Sequence, residues 1–140
     1  MATLTIGKIR GLQQITTRDG RIAILALDHR GSLGKMLGIA EGDPNFYPTV
    51  RDFKLMIVSQ LQEHASAVLF DPQYSAADAV ACGALRGDKG LIIALEKSGY
   101  TGSATARRTE VLPGWSAAKS KRMGASAIKL LVDYNPDASE

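Results

Sequence analysis

Four short, nearly unbroken apolar runs recur along the chain, and each gives way to a polar or charged residue. They are Ile22 to Leu27, Ala67 to Phe70, Leu91 to Leu95 and Ala127 to Val132. Runs of this length, rich in Ile, Val and Leu and bounded by Gly or polar residues, predict strands covered on both faces. Parallel strands need crossovers, and the segments between the runs carry a helical period. The best of these is Pro48 to Ala65, where Val50, Phe53, Ile57 and Leu61 form one apolar stripe. Ser75 to Leu85 is Ala-rich and predicts a short helix capped by Ser75, while Gly114 to Met123 predicts another that stops at Gly124. Gly31 to Ala40 reads as a short extra turn or helix. Ile6 to Ile15 reads as a capping helix ahead of the first strand, followed by a turn from Thr17 to Gly20. No antiparallel hairpin signal, internal repeat, low-complexity tract or dividing linker is visible, so residues 1–140 read as a single α/β domain.

Composition narrows the class. Hydrophobic residues make up 45% and charged residues 22% of 140, which excludes disordered, collagen-like and coiled-coil chains. The lone Cys82 cannot form an intramolecular disulfide, and with only two histidines the supply of metal ligands is poor, so no metal and no cofactor are expected. No apolar run reaches the roughly 18 residues of a membrane span, and the N-terminus lacks a signal-peptide pattern; a cytoplasmic protein with no membrane partner is expected. The net charge of +3 is scattered apart from Arg107, Arg108 and the stretch from Lys119 to Arg122. Nucleic acid is therefore not the expected partner, and a phosphorylated small molecule suits the charge equally well.

Alternating strands and helices leave a doubly wound sheet or a (β/α)8 TIM barrel. Asp28, Asp71, Glu96 and Asp133 each follow directly on an apolar run, which would gather four carboxylates at the C-terminal rim of the sheet. Barrel enzymes build their active sites there. For any one of these residues the plain alternative is that strand ends are where chains become polar; four out of four favours a site. Asn135, Pro136, Asp137 and Glu140 resemble a helix start with no helix following. Four strands are half of a barrel, so the chain reads as the first four β/α units of a protein of about 250 residues or more.

Three stretches carry a resemblance. Ala26-Leu27-Asp28-His29-Arg30-Gly31-Ser32-Leu33, Glu96-Lys97-Ser98-Gly99-Tyr100 and Gly124-Ala125-Ser126-Ala127-Ile128-Lys129-Leu130-Leu131 follow one another in order. Together they resemble the first, third and fourth strand motifs of the tagatose 1,6-bisphosphate aldolase family, and the likeness runs from about Ile9 to the last residue. That resemblance implies a class I aldolase: a TIM barrel, without metal, in which a lysine forms a Schiff base with a ketose phosphate and the iminium acts as electron sink for carbon–carbon cleavage. The parent reaction would split a ketohexose bisphosphate reversibly into dihydroxyacetone phosphate and glyceraldehyde 3-phosphate. Sulfofructosephosphate aldolase and deoxyribose-phosphate aldolase belong to the same superfamily. The Schiff-base lysine and an acid/base glutamate are implied on strands six and five, beyond these four units.

Of the matched residues, Asp28 is implied to line the substrate site, accepting a sugar hydroxyl or orienting the amine. Lys129 lies inside a strand between Ala127-Ile128 and Leu130-Leu131, where an ammonium is costly unless it points into a polar lumen. It matches the family's strand-four lysine, implied to bind substrate and to depress the nucleophile's pKa by like-charge repulsion; a lysine snorkelling from an edge strand is the alternative. Asp28 and Lys129 are thus the candidate catalytic residues, with His29, Arg30 and Glu96 as candidate substrate-binding residues. His29 stands where glutamine is commoner in the family, and a solvated rim histidine is its alternative. Arg30 suits a brace to a carboxylate. Glu96 and Lys97 have opposite strand parity, and Glu96, in phase with Ile92 and Ala94, is expected to face inward. The stretch Gly99 to Gly102 reads as a turn, with a substrate loop as the alternative. Two further readings differ in kind. Two copies could pair as a homodimer to close a barrel, with Lys129 as nucleophile, or the chain could be an inactive sugar-phosphate-binding module.

Overall fold

The four apolar runs form four parallel strands that hydrogen-bond in the order in which they occur. In the computed structural model, which describes residues 3–137, these are β1 (Ile24–Leu27), β2 (Ala67–Phe70), β3 (Gly90–Ala94) and β4 (Ala127–Lys129). Register is continuous: Ile24 lies opposite Ala67, Ala67 opposite Gly90, and Ile92 opposite Ala127. A doubly wound sheet reverses its strand order at a switch point. Here the order runs one way, as in a barrel, so the chain is an α/β fold with the architecture of a partial TIM barrel.

Helices α1 (Ile6–Ile15), α2 (Gly31–Met36), α3 (Phe46–Leu61), α4 (Ala76–Ala81) and α5 (Ala117–Arg122) occupy the predicted segments, and a 3-10 turn over Gln62–His64 extends α3. The helix-facing side of the sheet holds the larger core, built from Leu27, Val68, Phe70, Leu91 and Ile93 against Val58, Ala76 and Ala79. The opposite side carries Ala67, Leu69, Ile92 and Ala94 packed with Ile15 of α1. Helix α1 crosses the N-terminal end of the strands at close range: a Cβ on Gly11 would collide with the Ser126 carbonyl, and one on Gly90 would lie 2.6 Å from the Gln14 carbonyl oxygen. Ser66 Oγ ties this end together by donating to the Ile15 carbonyl at 2.5 Å. Among the described residues no helix is long and apolar enough to cross a membrane.

Several local expectations differ from the structure, each for a tertiary reason. The buried stripe of α3 is Phe46, Val50, Lys54 and Val58, rotated from the expected line, so that Leu61 is 44% exposed and a lysine sits at its centre. The fourth run ends its ladder at Lys129, opposite Ala94 at the end of β3, beyond which Glu96 bridges to Val111; Leu130, Leu131 and Val132 are exposed. Ser75 precedes α4 but its hydroxyl is committed to Asp71 at 2.8 Å and does not cap the helix. The segment after β3 contains antiparallel pairing that the sequence pattern did not announce: Glu96 pairs with Val111 and Thr101 with Arg108. The stretch Gly99 to Gly102 therefore lies within a hairpin-like loop. At the C-terminal end, Asp137 N donates to Asn135 Oδ1 at 3.0 Å in a turn, and Glu140 lies outside the described residues.

Candidate active site

The C-terminal ends of the strands carry one lysine shared by two carboxylates. Lys129, the last residue of β4, donates from Nζ to Asp28 Oδ2 at 3.0 Å, just past β1, and to Glu96 Oε1, past β3. Strand parity accounts for the convergence, since Ala127 and Lys129 share a face and Ile92, Ala94 and Glu96 continue the same row across the pair. Lys97 points the other way and meets Glu110 at 3.6 Å. Glu96 also accepts the Leu131 N–H through Oε2 at 3.2 Å, which holds the chain beyond β4 in place without a strand partner.

Exposure grades across this group: the side chains of Glu96, Asp28 and Lys129 are 7%, 17% and 33% exposed. The lysine therefore faces a cleft of about 310 Å³ that Asp28, His29, Ser32, Glu96 and Ser98 also line. Burial alone would lower the pKa of the Lys129 amine, but its hydrogen bonds to Glu96 and Asp28 and their charge outweigh that and raise it. Lys129 is thus an ammonium at neutral pH. This is the state of a substrate-binding cation and the opposite of what a Schiff-base nucleophile needs.

The other candidates fall in different positions. His29 is exposed at the mouth of the cleft. Arg30 is 4% exposed, borders the cleft and braces the rim, but through neutral acceptors: one guanidinium nitrogen donates to the Glu96 backbone carbonyl at 2.8 Å and a second to Gln73 Oε1 at 3.1 Å. The expected bond to a carboxylate is not made. Nor do the four rim carboxylates gather in one group. Asp133 accepts from Thr109 Oγ1 at 3.3 Å, beside the loop after β3. Asp71 turns toward α3, where it pairs with Lys54 with both side chains fully buried.

Lys54 and the inward turn of Asp71 escaped the sequence reading. Asp71 receives four donors: Lys54 Nζ and Ser75 Oγ on one oxygen, and the N–H groups of Gln73 (2.8 Å) and Tyr74 (2.7 Å) on the other. Such saturation is what makes a buried charge pair tolerable. Burial pushes the Lys54 pKa down, and the attraction of Asp71 offsets this only in part. A signal was present, because a lysine spaced four residues from Val50 and Val58 requires a buried partner. A wider cleft of about 450 Å³ opens at the opposite end of the strands, between Arg10, Arg18, Glu63 and Asp88, away from the shared lysine.

Comparison with known proteins gives the family. The DeoC/LacD family aldolase sequence pattern matches residues 22–140. The chain belongs to the DeoC/LacD aldolase family. It is similar to tagatose 1,6-diphosphate aldolase of Staphylococcus haemolyticus, 35% identical over 133 residues, which are 95% of this chain and 40% of that protein. It is also similar to tagatose 1,6-diphosphate aldolase 2 of Enterococcus faecalis, 36% identical over 137 residues, or 98% of this chain and 40% of the relative. The enzyme of the same name from Listeria monocytogenes is 38% identical over 137 residues, 98% of this chain and 39% of its own length. The chain thus spans about two-fifths of the length of these curated relatives. The rim that joins β1, β3 and β4 is at the C-terminal end of the strands, where barrel enzymes carry their chemistry.

Proposed function

We propose that the protein carrying this chain is a class I aldolase that cleaves a ketohexose bisphosphate, in the manner of tagatose 1,6-bisphosphate, to dihydroxyacetone phosphate and glyceraldehyde 3-phosphate. The observation that carries this reading is Lys129, held as an ammonium by Asp28 and Glu96 at the strand ends of a DeoC/LacD aldolase. Two of its three N–H bonds go to carboxylates, leaving the third for a hydroxyl or the carbonyl oxygen of the sugar. Its charge would also lower the pKa of a neighbouring nucleophilic lysine, which must lose its proton to attack the carbonyl. Asp28 would accept a sugar hydroxyl or orient the amine during carbinolamine formation, Glu96 would set the ammonium in place, and His29 would contact the substrate from the mouth. Arg30, buried and bonded to Gln73 and to the Glu96 carbonyl, acts in this reading by bracing the site. The Schiff-base lysine is implied on a later strand of the barrel. An exposed free Cys82 suits the reducing cytoplasm, where sugar phosphates are handled.

Borohydride trapping with dihydroxyacetone phosphate tests the assignment. The expected adduct lies on a lysine other than Lys129, and Lys129→Met abolishes cleavage of tagatose 1,6-bisphosphate. An adduct on Lys129 itself would overturn its role as substrate-binding cation and favour two copies closing one barrel. Binding of sugar phosphates with no adduct and no turnover would leave a binding module.

A further inference from the structure

Arg30 presents an anomaly of charge. It is nearly fully buried and lies on the same rim as Asp28, Asp71 and Glu96, yet among the described residues no carboxylate lies within ion-pair distance of it. A guanidinium in such a place ordinarily takes a carboxylate as a bidentate partner. Here its planar fork is aimed elsewhere, at the Gln73 amide oxygen and the Glu96 main-chain carbonyl. The consequence is that both oxygens of the Glu96 carboxylate remain available, one for Lys129 and one for the Leu131 N–H.

Gln73 is in position because Asp71 shapes the loop after β2. Asp71 Oδ1 accepts the N–H groups of Gln73 and Tyr74, and its second oxygen is held by Lys54 from α3 and by Ser75. The contacts are continuous: Lys54 to Asp71, the loop to Gln73, Gln73 to Arg30, Arg30 to the Glu96 backbone, and Glu96 to Lys129. We propose that the buried Lys54–Asp71 pair is a positioning device for the rim lysine, acting through Gln73, which steers Arg30 away from the carboxylates that Lys129 requires. Lys54, Asp71 and Gln73 are positioning residues, and none of them lines the cleft. Without the Gln73 acceptor, the buried guanidinium must satisfy its freed donors elsewhere, and the Glu96 and Asp28 carboxylates are the strongest acceptors on that rim. Lys129 then loses hydrogen bonds that favour its charged form, and its free-amine fraction rises.

The test reads the amine of Lys129 directly and does not depend on the aldolase assignment. Competitive acetylation at pH 9 with peptide mass spectrometry gives the labelling rate of each lysine, with the exposed Lys97 as internal reference. In Gln73→Leu, a substitution at an exposed side chain, the rate at Lys129 is expected to rise about threefold or more, as for a pKa drop of about half a unit or more. Gln73→Glu restores an acceptor for Arg30 and is expected to return the rate to that of the parent protein. Lys54→Met combined with Asp71→Leu, which removes the acceptors of the Gln73 and Tyr74 N–H groups, is expected to raise the rate as Gln73→Leu does, with Lys97 unchanged. An unaltered Lys129 rate in Gln73→Leu would overturn the proposal, as would an equal rise in Gln73→Glu. A rise in Gln73→Leu but not in a folded Lys54→Met/Asp71→Leu protein would overturn the part assigned to the buried pair. Should that double variant fail to fold, the two Gln73 variants decide.

Discussion

Among the described residues two lysines hydrogen-bond to carboxylates, and their surroundings drive them in opposite directions. Lys54 is wholly buried beside one carboxylate, Asp71, whose remaining capacity is taken by Ser75 and two backbone N–H groups. Lys129 is one-third exposed and shared between two carboxylates, Asp28 and Glu96. Desolvation dominates for Lys54 and lowers its pKa; charge and hydrogen bonding dominate for Lys129 and raise it. A lysine–carboxylate contact therefore has no single meaning. Sealed between helix and sheet, it fixes the loop after β2. Opened to a cleft, it leaves a partly exposed ammonium on the cleft wall.

The largest expected effect separates the two by stability. Lys54→Met strands Asp71 as a buried charge with its ammonium removed, and a cost of about 3–5 kcal/mol is expected, read from the urea midpoint. Adding Asp71→Asn should recover most of it, because the oxygen of the new side-chain amide still accepts the Gln73 and Tyr74 N–H groups. A cost below about 1 kcal/mol for the single change would show that the pair is not sealed. By contrast, Lys129→Met is expected to cost less than Lys54→Met, since Lys129 and Asp28 open onto the cleft and Glu96 keeps the Leu131 N–H. Its effect should appear instead as loss of the thermal shift that a sugar bisphosphate produces in the parent protein.

The pH dependence gives opposite signs. Lys54 has a folded pKa below the unfolded value of 10.5. Between those two values the unfolded state binds more protons, so stability rises with pH in that window. Lys129 has a folded pKa above 10.5; its contribution is fully present below 10.5 and is lost as pH rises through the folded value. Urea titrations from mildly alkaline pH to above 10.5 should therefore show a rising component missing in Lys54→Met and a falling one missing in Lys129→Met. The smallest effect concerns salt. Raising ionic strength from about 0.01 to about 1 M shortens the screening length from about 30 to about 3 Å, which should raise amine labelling at Lys129 modestly. The urea-midpoint difference between Lys54→Met and the parent should stay unchanged.

Much of the site was legible, but along one axis only. Alternation within a strand placed Glu96 inward and Lys97 outward, and the motif around Lys129 marked a charge inside an apolar strand. The same reasoning grouped Asp71 with Asp28, Glu96 and Asp133, because all four follow strands. The spacing of Lys54 from Val50 and Val58 hinted at a buried lysine, but nothing along the chain said that its partner is Asp71. The partners of Arg30 were equally hidden: a side-chain amide and a main-chain carbonyl leave no charge pattern to follow.

The chain by itself determined the elements and their alternation. Unbroken apolar runs and a period of 3.6 residues are local, and they sufficed for the four strands and five helices of the described residues and the turn at Gly124, whose φ of +101° suits glycine. Only β2 and β3 are covered on both faces, while β1 and β4 are partly exposed. Tertiary structure alone decided which charges meet. Lys129 finds Asp28 across 101 residues, Arg30 finds the Glu96 carbonyl across 66, and Lys54 reaches Asp71 only because α3 folds back onto the sheet. Such pairings are chosen by the desolvation that each charge must offset once the strands align, and that cost exists only in the assembled fold.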